Sequence, residues 1–177
     1  MKYRICFAAL WVLLLSANGS SADDGTKRAG DILTVALPVV AAGLSVAHGD
    51  TNGLWQLMES EAATTLLTEV LKYSTHEMRP NGKGDKSFPS LHASVAFSAA
   101  QYLQSRAGWE YGVPAYLLAT LVGYSRVYTK EHYWKDVVGG AALGASVSYY
   151  LTDSAPATRF GLAVTPGSAF FQIDRKW

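Results

Sequence analysis

At 177 residues the chain has room for one domain with a core of its own and not for two of ordinary size. Its apolar fraction is 49% and its charged fraction only 16%, a balance that demands extensive burial against protein or lipid. The net charge of +1 supplies no basic field, which excludes non-specific nucleic-acid binding.

Lys2 and Arg4 precede "ICFAALWVLLL", an apolar run too short to span a bilayer, and small residues follow in "SANGSSA". This is the pattern of a secretory signal over residues 1–22. Cleavage is expected after Ala22, with Gly19 the alternative; an uncleaved anchor is the competing reading. Cys6, the only cysteine, lies inside that segment, so the rest of the chain has neither disulfide nor thiol chemistry. An exported protein, periplasmic or in the envelope, is expected.

Residues 23–30, "DDGTKRAG", read as a polar linker. "DILTVALPVVAAGLSVAHGD" (31–50) gives an apolar helix with Pro38 inside and Gly49-Asp50 as its stop. In the next segment, 54–76, Met58, Ala62, Leu66 and Val70 recur every fourth residue, the mark of an amphipathic helix. "RPNGKGDKSFPS" (79–90) is a loop dense in Gly, Pro, Asn and Asp. An Ala/Ser-rich helix (91–105) and two apolar helices (113–128 and 132–151) follow. Gly140 and Gly144 form a small-xxx-small pair suited to close helix contact. Residues 159–177 hold two strand-like runs around Thr165-Pro166-Gly167-Ser168, a small hairpin. The expected fold is all-α: a compact bundle of about five helices over 23–152, with a hairpin-like tail over 153–177. The three most apolar stretches run roughly 13–17 residues, at or below the lower limit for a span. Glu59, Glu61 and Glu69 make the amphipathic helix too polar to face lipid. A soluble or peripheral protein, touching a membrane surface at most, is expected over an integral one.

The remaining polar residues gather at three helix ends. Lys72 and Arg79 follow the amphipathic helix, Ser90 and His92 open the next, and Arg126, His132 and Asp136 occupy "SRVYTKEHYWKD". Three cations in an apolar setting repel one another unless a polyanion sits between them. Arginine forks match phosphate oxygens, and lysine adds a point charge. Ser90 stands at an N-cap, so the free N–H groups starting at Leu91 aim at the same place. His132 and Asp136 are one helical turn apart. The acid can hold Nδ1–H and leave Nε2 to attack phosphorus, forming a phosphohistidine. His92 can then protonate the leaving oxygen and afterwards activate water. Asp136 raises the pKa of His132 while the cations lower it, and spacing does not say which prevails. His76 has no visible partner and reads as a helix-end residue. The nearby cations oppose a divalent ion, and no metal-ligand spacing stands out.

These motifs resemble a known family. "KYSTHEMRP" fits K-x6-R-P through Lys72, Arg79 and Pro80; "PSLH" fits P-S-G-H at three of four positions; "SRVYTKEHYWKD" fits S-R-x5-H-x3-D in full. Their order and spacing are similar to those of the type 2 phosphatidic acid phosphatase superfamily, which includes vanadium haloperoxidases. The resemblance implies His132 as nucleophile, Asp136 as its partner and His92 as general acid. It implies Lys72, Arg79, Ser90, Leu91 and Arg126 as the phosphate site, with no metal and no cofactor. Leu91 stands where the family has Gly; it keeps the N–H donor and adds bulk. The expected activity is a phosphatase acting on phosphomonoesters or diphosphates, of lipids such as phosphatidic acid, phosphatidylglycerol phosphate or an isoprenyl diphosphate, or of small phosphoesters. A vanadate-dependent peroxidase and a non-catalytic phosphate-binding envelope protein are the alternatives.

Overall fold

The computed structural model describes residues 22–154, 159–165 and 168–174. Residues 1–21 of the expected signal, Cys6 among them, and the Pro166-Gly167 turn lie outside the described residues. Five helices follow one another: α1 (Ala22–Ala47), α2 (Thr51–Thr75), α3 (Leu91–Ala107), α4 (Trp109–Tyr128) and α5 (Trp134–Leu151). Then β1 (Arg159–Thr165) and β2 (Ser168–Asp174) pair antiparallel, with Thr165 opposite Ser168. The expected helical bundle with a hairpin tail is the observed architecture.

Residues 23–30, expected as a linker, are instead the first turns of α1. Their acidic start suits a helix N-terminus. Gly30 is tolerated because α4 comes so close there: a Cβ would lie 2.0 Å from Ser125 Oγ and 2.5 Å from Arg126 Nη2. Tertiary contact overrides the weak local propensity.

α3 packs against all four other helices. Its Ala93, Ala96, Ala99 and Ala100 are fully buried, so neighbouring backbones can approach. The Gly140/Gly144 pair does what its spacing suggests. A Cβ on Gly144 would stand 1.9 Å from the Ser94 carbonyl oxygen, and one on Gly140 2.5 Å from that of Ser90. Gly144→Val is therefore expected to destabilise the bundle by about 1–3 kcal/mol through overpacking. A lowered melting temperature of the detergent-solubilised protein checks this, and an unchanged one would mean that α3 and α5 do not pack through this contact.

The helices run up and down, so the α2–α3 loop, the α4–α5 loop and the start of α1 share one end. Asn81 N–H donates to the Lys130 carbonyl across it at 3.1 Å, and Arg79 reaches Glu131. The other end is tied by Arg106, which holds Asp50 at 2.6 Å and the Asp153 carbonyl at 3.1 Å.

The distribution of polarity corrects the expected soluble or peripheral state. On α2 the stripe Ser60, Thr64, Thr68 and Lys72 is buried, while Met58, Leu66 and Val70 face outward, Leu66 at 65% exposure. Glu61 buries both carboxylate oxygens, and Glu69 turns to the cavity described below. Val35, Val39, Leu117, Leu121 and Val138 are exposed as well. Serines and threonines inside and large aliphatics outside suit lipid as the surrounding solvent. α1 from Asp24 to Ala47 is long and apolar enough to span, with only 22% of its most apolar stretch buried. Exposed aromatics ring both ends: Tyr73, Tyr128, Tyr133 and Trp134 at one, Trp55, Trp109 and Tyr150 at the other. Along α2, α4 and α5 the rings stand about 24–29 Å apart at the helical rise, close to the thickness of a bilayer core. This surface is the one expected of a membrane-embedded chain rather than of a soluble one.

Candidate active site

Each predicted side chain is delivered to the same end of the bundle by the end of an element. α2 supplies Lys72 in its last turn, buried, with Nζ donating to the Lys86 carbonyl at 3.1 Å. The following loop carries Arg79. Ser90 is the N-cap of α3, its hydroxyl accepting from Ala93 N–H at 3.5 Å, and Leu91 and His92 form the first turn. α4 ends with Arg126, the next loop holds His132, and α5 begins with Asp136 in its first turn. Lys72, Arg79, Leu91, His92, Arg126 and His132 line one cavity of about 310 Å³. Ser90 and Asp136 do not line it; both are fully buried. The cavity sits at the level of one aromatic ring, where lipid headgroups lie.

The three predicted cations meet there with Lys27 and Lys86, and each of the three has a polar contact within the chain. Arg126, 1% exposed, donates Nη1 to Asp31 Oδ1 at 2.7 Å, Nη2 to the Lys27 carbonyl at 2.6 Å and Nε to Ser125 Oγ at 3.0 Å. The same Asp31 oxygen lies 3.1 Å from His92 Nε2. Arg79 Nη1 donates to Glu131 Oε2 at 2.8 Å, and Lys27 Nζ reaches Glu131 Oε1 at 2.5 Å. Burial alone would push the Glu131 carboxyl up, but Lys27 and Arg79 outweigh it and hold it below the usual carboxylate range.

His132 and Asp136 adjoin as their spacing implies, with Nδ1 3.5 Å from Oδ2. That is longer than a hydrogen bond, and His132 Nδ1 and Asp136 Oδ1 are both buried without a hydrogen-bond partner. Oδ2 is taken instead by Ser87 Oγ at 2.5 Å and by Tyr133 N–H at 2.9 Å, the free donor just before α5. The carboxylate is thus fixed from behind, with one oxygen unspent.

Burial first, then the charges of Lys72 and Arg79, lower the pKa of His132 to about 4 against the opposing pull of Asp136. The contest that sequence left open goes to burial and the cations, so the imidazole is neutral at ordinary pH and its lone pair is available. Two consequences follow from the sign. On the acid side, kcat/KM for the expected phosphoester cleavage should fall as pH drops through about 4, where His132 protonates. Stability is expected to decline as pH falls from the unfolded value near 6.5 towards 4, because the unfolded chain binds that proton first. A pH–rate profile with an acid limb near 6.5 would contradict this environment for His132.

Six residues of the site escaped sequence reasoning, Glu69 and Lys86 of the cavity wall among them. Lys27 and Asp31 come from the start of α1, Glu131 is the neighbour of His132, and Ser87 holds Asp136. Only Ser87, three residues before Ser90 in a loop that already carried the motif, had a local signal. His76 is the C-cap of α2 at φ 46°, an exposed helix-end residue as expected.

A family model described as "PAP2 superfamily" matches residues 81–159. Lipid A 4'-phosphatase of Helicobacter pylori is 30% identical over 141 residues, 71% of this chain and 69% of that protein. Lipid A 1-phosphatase of Porphyromonas gingivalis is 37% identical over 89 residues, 46% of this chain; the match spans only 20% of that longer protein. Among solved structures, Aquifex aeolicus LpxE shares the fold with a TM-score of 0.64 at 21% identity, over 80% of this chain and 93% of its own. The transmembrane PAP2-type phosphatidylglycerolphosphate phosphatase of Bacillus subtilis shares it with a TM-score of 0.53 at 24% identity, over 82% and 90%. That neighbour's transmembrane character agrees with the outward-facing apolar surface seen here.

Proposed function

The chain belongs to the PAP2 superfamily, and on that premise we propose that it is a phosphatase that hydrolyses the phosphate group of a membrane lipid through a phosphohistidine on His132. The observation that carries this reading is the joining of buried His132 to Lys72, Arg79 and Arg126 in one cavity at headgroup level. A lipid held in the bilayer would bring its phosphate to that depth without leaving the membrane.

In the proposed reaction Nε2 of His132 attacks phosphorus and the P–O bond breaks towards the leaving oxygen. The imidazolium formed is balanced by Asp136, whose Oδ2 lies 3.5 Å from Nδ1 and whose Oδ1 is unspent. His92 protonates the leaving oxygen and then takes a proton from the water that cleaves the N–P bond. Lys72, Arg79 and Arg126 neutralise charge on the transferring phosphoryl oxygens, which is most of what this transfer needs. For that, phosphate oxygens take over donors now shared with Asp31 and Glu131. The organisation proposed with this reading is an export signal over 1–22, the catalytic bundle over 23–152 and the tail over 153–177.

The test is phosphate release by the detergent-purified protein from lipid phosphates in mixed micelles and from a soluble aryl phosphate, with and without vanadate. Vanadate-sensitive release from the lipids supports the reading. Release from no phosphoester, with vanadate-dependent halide oxidation in its place, would overturn it.

A further inference from the structure

Asp31 is a carboxylate placed where a phosphatase would need a reason to keep one. Its Oδ1 touches Arg126 Nη1 at 2.7 Å and His92 Nε2 at 3.1 Å. It stands at the rim, its side chain 48% exposed, whereas the side chains of Arg126 and His132 are nearly fully buried. A phosphoryl group attacked by His132 therefore lies deep, and the leaving group points to the rim, towards Asp31 and His92. The cavity wall also carries Lys27, Lys72, Arg79, Lys86 and Arg126 against Asp31, Glu69 and Glu131. The excess of two positive charges matches one phosphomonoester, which carries about −1.5 to −2 at neutral pH.

Resting on the phosphatase reading above, we propose that Asp31 is the positioning residue of His92 and makes the site select a phosphomonoester of an alcohol over a diphosphate. Two effects act together. An alkoxide leaving group must take a proton as the P–O bond breaks. The Asp31 carboxylate on Nε2 of His92 favours the protonated ring, against burial and the Arg126 charge, and leaves Nδ1 to deliver that proton. The leaving group of a diphosphate is itself a phosphate, stable without that proton, and its charge would stand against the Asp31 carboxylate. Asp31 aids the first departure and opposes the second.

The experiment compares full-length protein and Asp31→Asn in detergent, on phosphatidic acid and on farnesyl diphosphate. The wild type is expected to favour phosphatidic acid. Asp31→Asn should lose about ten- to a hundredfold in kcat/KM on it, and far less on the diphosphate. The alkaline limb of the phosphatidic acid profile should move to lower pH, because removing the anion makes protonated His92 easier to discharge. Asp31→Glu should restore the limb in part, and melting temperatures of both variants confirm folding. Equal losses on both substrates with an unmoved limb would overturn the inference alone. No phosphate release by the wild type from either would overturn the phosphatase reading, and this inference with it.

Discussion

Replacing His132 by alanine is expected to lower kcat for lipid-phosphate hydrolysis by at least about 10⁴-fold, with little change in melting temperature. The kinetic part follows from covalent catalysis: without Nε2 no phosphoenzyme forms, and every later step loses its substrate. The cations would still bind phosphate, so KM should change far less than kcat. The stability part follows from the geometry. His132 Nδ1 is buried without a hydrogen-bond partner, and the carboxylate beside it is held by Ser87 and Tyr133 N–H rather than by the ring. Removing the ring thus breaks no hydrogen bond of the imidazole and leaves Asp136 fixed, and the loss of packing is offset by an unsatisfied donor removed from the interior. Steady-state kinetics and a thermal melt of His132→Ala check both halves. Turnover within tenfold of the wild type would exclude His132 as the nucleophile.

That pairing of Ser87 with Asp136 shows where sequence reasoning stopped. Residues at fixed short spacings were legible. Lys72 and Arg79 bracket one helix end, Ser90 and His92 open another, and Arg126, His132 and Asp136 span a single turn, so local geometry alone brings each group together. The Gly140/Gly144 pair was legible for the same reason. Asp31 was not. It meets Arg126 across 95 positions, and at the start of an apolar helix it looks like any solvated acid. Glu131 follows Lys130, at φ 57°, in a turn whose sequence gives its carboxylate no signal of a role. The facing of α2 failed differently. A helix with one polar and one apolar stripe has two opposite burials, and its pattern does not say which solvent surrounds it. In water the stripe of Met58, Leu66 and Val70 would be the core; in lipid the stripe of Ser60, Thr64 and Thr68 is. Only the packed bundle decides, and it places the hydroxyls inside.

The second large effect should come from the mildest change at the phosphate clamp, Arg126→Lys, which is expected to lose about 10²–10³-fold in kcat/KM. Arg126 keeps three donors in a fixed plane, directed to Asp31, the Lys27 carbonyl and Ser125. Lysine retains the charge, so Asp31 keeps a partner and the buried site is not left with an unpaired anion. It cannot retain the fork. One ammonium must choose among the helix α1 carbonyl, the carboxylate and the arriving phosphate, and it reaches none of them bidentately. The tie between α4 and the start of α1 weakens at the same time, because the Lys27 carbonyl loses its donor. A fall in melting temperature equivalent to about 1–3 kcal/mol is therefore expected alongside the kinetic loss. The two readouts separate the roles. Loss of stability with unchanged kcat/KM would make Arg126 a helix tie alone, and loss of kcat/KM with unchanged stability would make it a phosphate ligand alone. With one side of the guanidinium on the backbone of α1 and the other on the anion beside His92, both losses are expected.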